Sequence, residues 1–139
     1  MIEYRKIQET DIETIRELYT KFPEFPKPML HTLPGNGLDG IVGLKDNTIV
    51  CACYVYMAVN APTCWVEWVV ADKDYREDDK DNIIIGMLDC VSSIMKDNGY
   101  LYLFAMTTNI HLERLYSKAG YDATGTRGVE LIKTLTDGK

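Results

Sequence analysis

The sequence predicts a mixed α/β domain in which helices pack on a largely antiparallel sheet. Three observations lead there. Stretches that alternate apolar and polar residues, or are rich in Val, Tyr and Cys, read as strands at residues 2–7, 40–44, 48–59 and 64–71. Stretches with apolar residues three and four apart read as helices beginning near Thr10, over 82–98, and from Asn109. The resulting order is strand, helix, short helix, three strands, helix, strand, helix, and one or two final strands.

Residues 2–7 alternate like an opening strand, and Thr10-Asp11-Ile12-Glu13 supplies a Thr-x-x-Glu capping box for the first helix. Ile12, Ile15, Leu18, Tyr19 and Phe22 form its apolar stripe until Pro23 stops it. From there to Gly40, three more prolines and three glycines disfavour long regular elements, leaving a short helix and a loop over one edge of the domain. Residues 40–44 and 48–59 make a hairpin around Asp46-Asn47. Residues 64–71, C-W-V-E-W-V-V-A, are a further strand. In the helix over 82–98, Ile84, Met87, Leu88, Val91, Ile94 and Met95 form the buried stripe, and Gly99 ends it. Residues 100–106 are nearly continuous in apolar character, as expected of a strand covered on both faces. Asn109 can cap a helix carrying Leu112, Leu115, Tyr116 and Ala119, and Gly120 stops it before two strand-like segments over 125–135.

Composition narrows the function. The 139 residues suffice for one domain spanning 1–139 but not for two. Fifteen Lys and Arg against 21 Asp and Glu leave a net charge of −6, which argues against a face that holds nucleic acid by counterion release. No apolar run approaches the roughly 20 residues of a membrane helix, and residues 1–6 lack a secretory apolar stretch, so a cytoplasmic protein without membrane contact is expected. Cys51, Cys53, Cys64 and Cys90 have no C-x-x-C spacing and read as buried reduced thiols. His31 and His111 have no metal-ligand or triad partners at suggestive spacing.

Two segments carry a resemblance. Trp65 to Arg76, W-V-E-W-V-V-A-D-K-D-Y-R, and Asn109 to Tyr121, N-I-H-L-E-R-L-Y-S-K-A-G-Y, together with the order of elements, resemble the GNAT superfamily of N-acetyltransferases over nearly the whole chain. The resemblance implies a six- to seven-stranded, mostly antiparallel sheet with helices on both faces. It also implies acetyl-CoA as cosubstrate, its pantetheine arm lying between the splayed strands 64–71 and 100–106, and an amine acceptor entering from the other side. Val69, Val70 and Ala71 would then bond pantetheine through their backbone, Arg76, Lys80 and Asn82 would meet the pyrophosphate at a helix start, and Asn109 would contact the cofactor arm. Tyr116 matches the family's general-acid tyrosine. The Pro-rich segment matches the substrate-selecting loop, where Phe22, Phe25, Met29 and His31 are candidates for an acceptor pocket.

One loop departs from the pattern. The family has Arg or Gln, two residues, Gly, one residue, then Gly or Ala; here Arg76 is followed by Glu77-Asp78-Asp79-Lys80-Asp81-Asn82, with no glycine before Gly86. Residues 72–81 hold six acids and three bases. One carboxylate about 6 Å from a phosphate charge costs about 2 to 3 kcal/mol at an effective dielectric near 20. Either the carboxylates face solvent while Arg76, Lys80 and helix N–H groups meet the pyrophosphate, or the domain keeps the fold without the reaction, as a GNAT-like binding module. A Ca²⁺ or Mg²⁺ loop is disfavoured because the acids lack its ligand spacing.

Amine acylation needs a base, because an alkylammonium with a pKa of about 10 has no free lone pair at neutral pH. Glu67 is the candidate, since alternation places Trp65 and Val69 on its face, an apolar setting that raises a carboxylate pKa. It also reads as a cross-strand partner of a Lys or Arg. Tyr116 would protonate the departing thiolate, and it fits an ordinary core stripe equally well. Asn109 likewise serves as an N-cap. The acceptor would be a small-molecule or peptide amine, its cationic form suited to an acidic chain, and an exposed strand offers a route to a homodimer.

Overall fold

The computed structural model describes residues 1–24, 27–125, 128–129 and 131–135. One five-stranded sheet runs in the order β1 (Ile2–Lys6), β2 (Gly40–Lys45), β3 (Thr48–Met57), β4 (Thr63–Ala71) and β5 (Tyr102–Ala105). The first three pairings are antiparallel and β4–β5 is parallel. Three helices cover it: α1 (Ile12–Thr20) on one face, α2 (Lys80–Asp97) on the other, and α3 (Ile110–Lys118) beside α2. The mixed α/β class, the antiparallel bias and helices on both faces follow the sequence.

The number of strands does not. Of residues 125–135, the described ones form no strand, and Val129, Leu131, Ile132 and Leu135 are each at least 81% exposed. Thr126, Arg127 and Glu130 lie outside the described residues. Apolar alternation marks a segment able to enter a sheet, but a strand exists only where a neighbour completes its ladder, and these side chains have no sheet face beneath them. The same limit corrects the reading of β5. It is the edge strand rather than a strand covered on both faces, with Tyr102 and Phe104 62% and 48% exposed.

Each sheet face has its own core. Cys51, Cys53, Val55, Cys64 and Val66 pack under α2 with Ile83, Met87, Leu88 and Val91, while Ala52, Tyr54 and Val70 pack under α1 with Ile15, Leu18 and Tyr19. Three of the four thiols are buried and Cys90 is half-buried, and burial pushes the Cys51 thiol up to about 12, so it stays protonated. The hairpin between β2 and β3 turns at Asp46 and Asn47, both with positive φ, the conformation for which Asp and Asn are suited. At the sheet's centre Gly40 lies so close to β3 that a Cβ there would meet the Cys53 carbonyl oxygen at 2.2 Å.

The start of α1 differs from the expected capping box. A 3-10 turn (Glu9–Asp11) precedes the helix, and Asp11, not Glu13, turns back to accept a hydrogen bond from the Gln8 N–H at 2.8 Å. Its carboxylate also takes two bonds from Arg5, at 2.6 and 3.0 Å, in a nearly buried setting. The Arg5 hydrogen bond holds the Asp11 carboxyl below the usual carboxylate range. Asp11→Asn should therefore cost about 2 kcal/mol at neutral pH. A group with a depressed folded pKa adds stability above its unfolded value, about 3.9, and loses it as pH falls toward the lower folded value. Urea midpoints of parent and variant should accordingly differ at pH 7 and converge near pH 2. An equal gap at both would refute the assignment.

Candidate active site

The site begins where β4 and β5 part. Their parallel register runs from Thr63 opposite Tyr102 to Val66 opposite Ala105, and there β5 ends. β4 continues through Glu67 to Ala71, paired on its β3 side only. Beyond that point the β4 edge presents backbone groups that β5 does not satisfy.

A bulge shapes that edge. Ala52 pairs with Val70 and Tyr54 with Glu67, so Trp68 and Val69 together oppose the single residue Cys53. Trp68 has φ of 58°, a conformation costly for any residue with a Cβ. The Tyr19 hydroxyl donates to the Trp68 carbonyl, and Trp68 Nε1 donates to the Tyr56 hydroxyl at 3.2 Å, which hold it in place. The extra residue reverses the alternation beyond it. Glu67 and Trp65 share a face, as expected, and their pairing with Tyr54 and Tyr56 makes it the α1 face, but Val69 packs against the α2 core instead of standing beside Glu67. Nothing in the residue types signals this, since tryptophan has no preference for positive φ.

Tyr116 comes from α3. It is buried against Tyr121, with ring centroids 5.0 Å apart. Burial, then the neighbouring Tyr121, Cys53 and Glu67, push its phenol far above the ordinary range, so it holds its proton throughout neutral pH. Tyr116 belongs to the core on the α2 side of the sheet, with Cys53, Cys64 and Val66. Asn109 is the N-cap of α3, its side chain accepting from the Leu112 N–H at 2.9 Å.

The acidic loop joins the end of β4 to the N-terminus of α2. Lys21 reaches Asp72 at 2.8 Å and Asp74 at 3.0 Å, while Lys45 lies 3.7 Å from Glu77. The Tyr75 hydroxyl donates to Asp79 at 2.6 Å and holds its carboxyl below the usual range. His111 meets Asp81 at 2.9 Å, linking the starts of α3 and α2. Five of the six acids thus have a polar partner, and Lys21 and Lys45 bring positive charge to three of them, Asp72, Asp74 and Glu77. Lys80 reaches the Lys73 carbonyl at 3.5 Å, and Arg76 and Asn82 are exposed at the mouth of the loop. The lysines that restrain this loop lie 51 and 32 residues away in sequence from the acids they meet, beyond the reach of any local motif.

On the acceptor side the candidates disperse. Met29 and His31 are exposed, Phe22 is half-buried with Lys73 over its ring, and Phe25 lies outside the described residues. The loop nevertheless borders the site, because the Tyr56 hydroxyl donates to the Thr32 carbonyl at 3.2 Å.

Solved structures share this architecture. The ribosomal-protein-S18-alanine N-acetyltransferase of Escherichia coli superposes with a TM-score of 0.73 at 14% identity, over 89% of this chain and 80% of that one. The ribosomal-protein-alanine N-acetyltransferase of Brucella melitensis biovar Abortus 2308 gives 0.72 at 13% identity, over 96% and 100%. The fold is that of the GNAT acetyltransferases. A third GNAT-like structure, N-acetylglutamate synthase from Neisseria gonorrhoeae complexed with coenzyme A and N-acetyl-glutamate, gives 0.70 at 13% identity over 84% of this chain, which spans 28% of that synthase. No protein-family model matches the sequence, and no curated protein matches it. Among the described residues no helix is long and apolar enough to cross a membrane.

Proposed function

We propose that this chain is an N-acetyltransferase that passes the acetyl group of acetyl-CoA directly to a primary amine. The observation that carries the reading is the end of the β4–β5 pairing at Val66 and Ala105, with Glu67 the next residue of β4 and Tyr116 in the core cluster that holds Val66. The residues fit the cosubstrate: the free backbone edge at Val69, Val70 and Ala71 suits the amides of a pantetheine arm, and the start of α2 suits a pyrophosphate. Lys21 and Lys45 pair with Asp72, Asp74 and Glu77 of the loop, and Arg76, Lys80 and Asn82 would be the polar contacts to the pyrophosphate, with Asn109 meeting the cofactor arm. Acetyl-CoA, when bound, supplies an activated thioester.

This chain's residues then manage two protons. Glu67, directly or through a water, takes the proton of the acceptor ammonium and so frees the nitrogen lone pair that attacks the carbonyl carbon. As the carbon–sulfur bond breaks, Tyr116 donates its phenolic proton to the sulfur. The attacking nitrogen loses its second proton to solvent as the intermediate collapses. Net, the ammonium and the thioester become an amide, a thiol and one proton released to solvent, and solvent returns Glu67 to its carboxylate and Tyr116 to its phenol.

A thermal-shift titration tests the reading. A ligand that binds only the folded state at 100 times its Kd adds about 2.7 kcal/mol, or about 8 °C for a chain of this size. Acetyl-CoA at 1 mM should raise Tm by about that amount. An unchanged Tm would reduce the likeness to one of architecture.

A further inference from the structure

The inference deepens the transferase reading and rests on it: we infer that the acceptor is a primary ammonium carried on a short tether from a flat apolar ring. The sheet face shared with α1 holds an aromatic row whose β4 and β5 members are left open by the described residues. Across it the register aligns Tyr56, Trp65 and Phe104, with Tyr102 two residues before Phe104 on the same strand. The Trp65 and Phe104 rings stack at 5.7 Å and 25°, yet Trp65, Phe104 and Tyr102 stay 39%, 48% and 62% exposed. Tyr56 is fixed at the other end by its bonds to Thr32 and Trp68.

Large aromatic side chains left open in a row, beside a site rather than scattered, mark a binding surface. Its chemistry is set by the next residue along β4 on that face. Glu67 follows Trp65 by two, a rise of about 7 Å, and stands just past the end of the β4–β5 pairing. The row therefore ends in a carboxylate at the place where the acyl carbon must be attacked. A ring lying on Trp65 and Phe104 excludes water there, and an ammonium two carbons away reaches Glu67 while its charge is attracted by the aromatic faces. The net charge of −6 favours the same sign of ligand. A polyamine would leave the row unfilled, and a carboxylate-headed ligand of the same shape would meet Glu67 with like charge.

Calorimetric binding to the unaltered chain, without acetyl-CoA, decides it. At pH 7, 2-phenylethylammonium should bind at least tenfold more tightly than n-butylammonium, spermidine or 3-phenylpropionate. Trp65→Ala should erase the preference over n-butylammonium, and Glu67→Gln the preference over 3-phenylpropionate. Equal or tighter binding of n-butylammonium or spermidine to the unaltered chain would overturn the aromatic half, and equal binding of 3-phenylpropionate the cationic half. Because this assay needs no cosubstrate, its failure with the acetyl-CoA thermal shift intact removes the acceptor class alone. Loss of that shift with amine binding retained removes the transfer reaction instead.

Discussion

Glu67→Gln should lower kcat/KM for acetyl transfer about 100-fold or more, the usual contribution of a positioned base, while leaving the acetyl-CoA thermal shift unchanged. The pH dependence fixes the role. A base works only when deprotonated, so the parent rate should fall as the medium becomes acidic and the variant should lose that fall. Tyr116→Phe should lower kcat by about tenfold or more at every pH. Because burial and the Glu67 charge hold the phenol in its protonated form well beyond neutrality, the parent profile should show no alkaline decline from Tyr116 up to about pH 10. Full activity in both variants would leave Glu67 and Tyr116 as structural residues, and an acid limb persisting in Glu67→Gln would move the base elsewhere.

Gly40→Ala should be the most damaging single methyl in the chain. The added carbon would stand 2.2 Å from the Cys53 carbonyl oxygen and 2.7 Å from Ile7 Cδ1. The first of these atoms belongs to the backbone of the central strand, so no rotamer change relieves the contact, and β2 must move away from β3. The Gly40 carbonyl accepts from the Ile7 N–H at 3.1 Å, tying the end of β1 to the displacement. A loss of about 3 kcal/mol or more is expected, read as a lower urea midpoint. An unchanged midpoint would mean that β2 and β3 are not held at this separation.

What the sequence discloses about this molecule is local. The turn at Asp46-Asn47 and the cap at Asn109 are each written within a few residues, and the structure has both. Of the stripe read for α2 it buries Met87, Leu88, Val91 and Met95 but leaves Ile94 exposed and Ile84 half-buried, with Ile83 buried instead, because the core lies slightly to one side of the apolar face. What it conceals is relational. Whether Tyr102 and Phe104 are covered depends on what lies beside β5, and whether the acids of residues 72–81 repel a phosphate depends on Lys21 and Lys45 from distant strands and helices. The site shows the same division. Glu67 and Tyr116 were legible as residue types in a familiar pattern, but the bulge at Trp68, which sends Val69 to the opposite face, is a property of how two strands of unequal count are matched. Strand-like alternation at residues 129–135 is the converse case, a local signature without a ladder to join.

The parting of the two parallel strands bears on inheritance. The groups that the edge of a strand offers are amide hydrogens and carbonyl oxygens, which every residue except proline supplies alike. A grip made of such groups survives almost any exchange of side chains that preserves the strand. A likeness of fold can hold at 14% identity across 89% of a chain, and it is then legible in coordinates where the alphabet of residues does not show it.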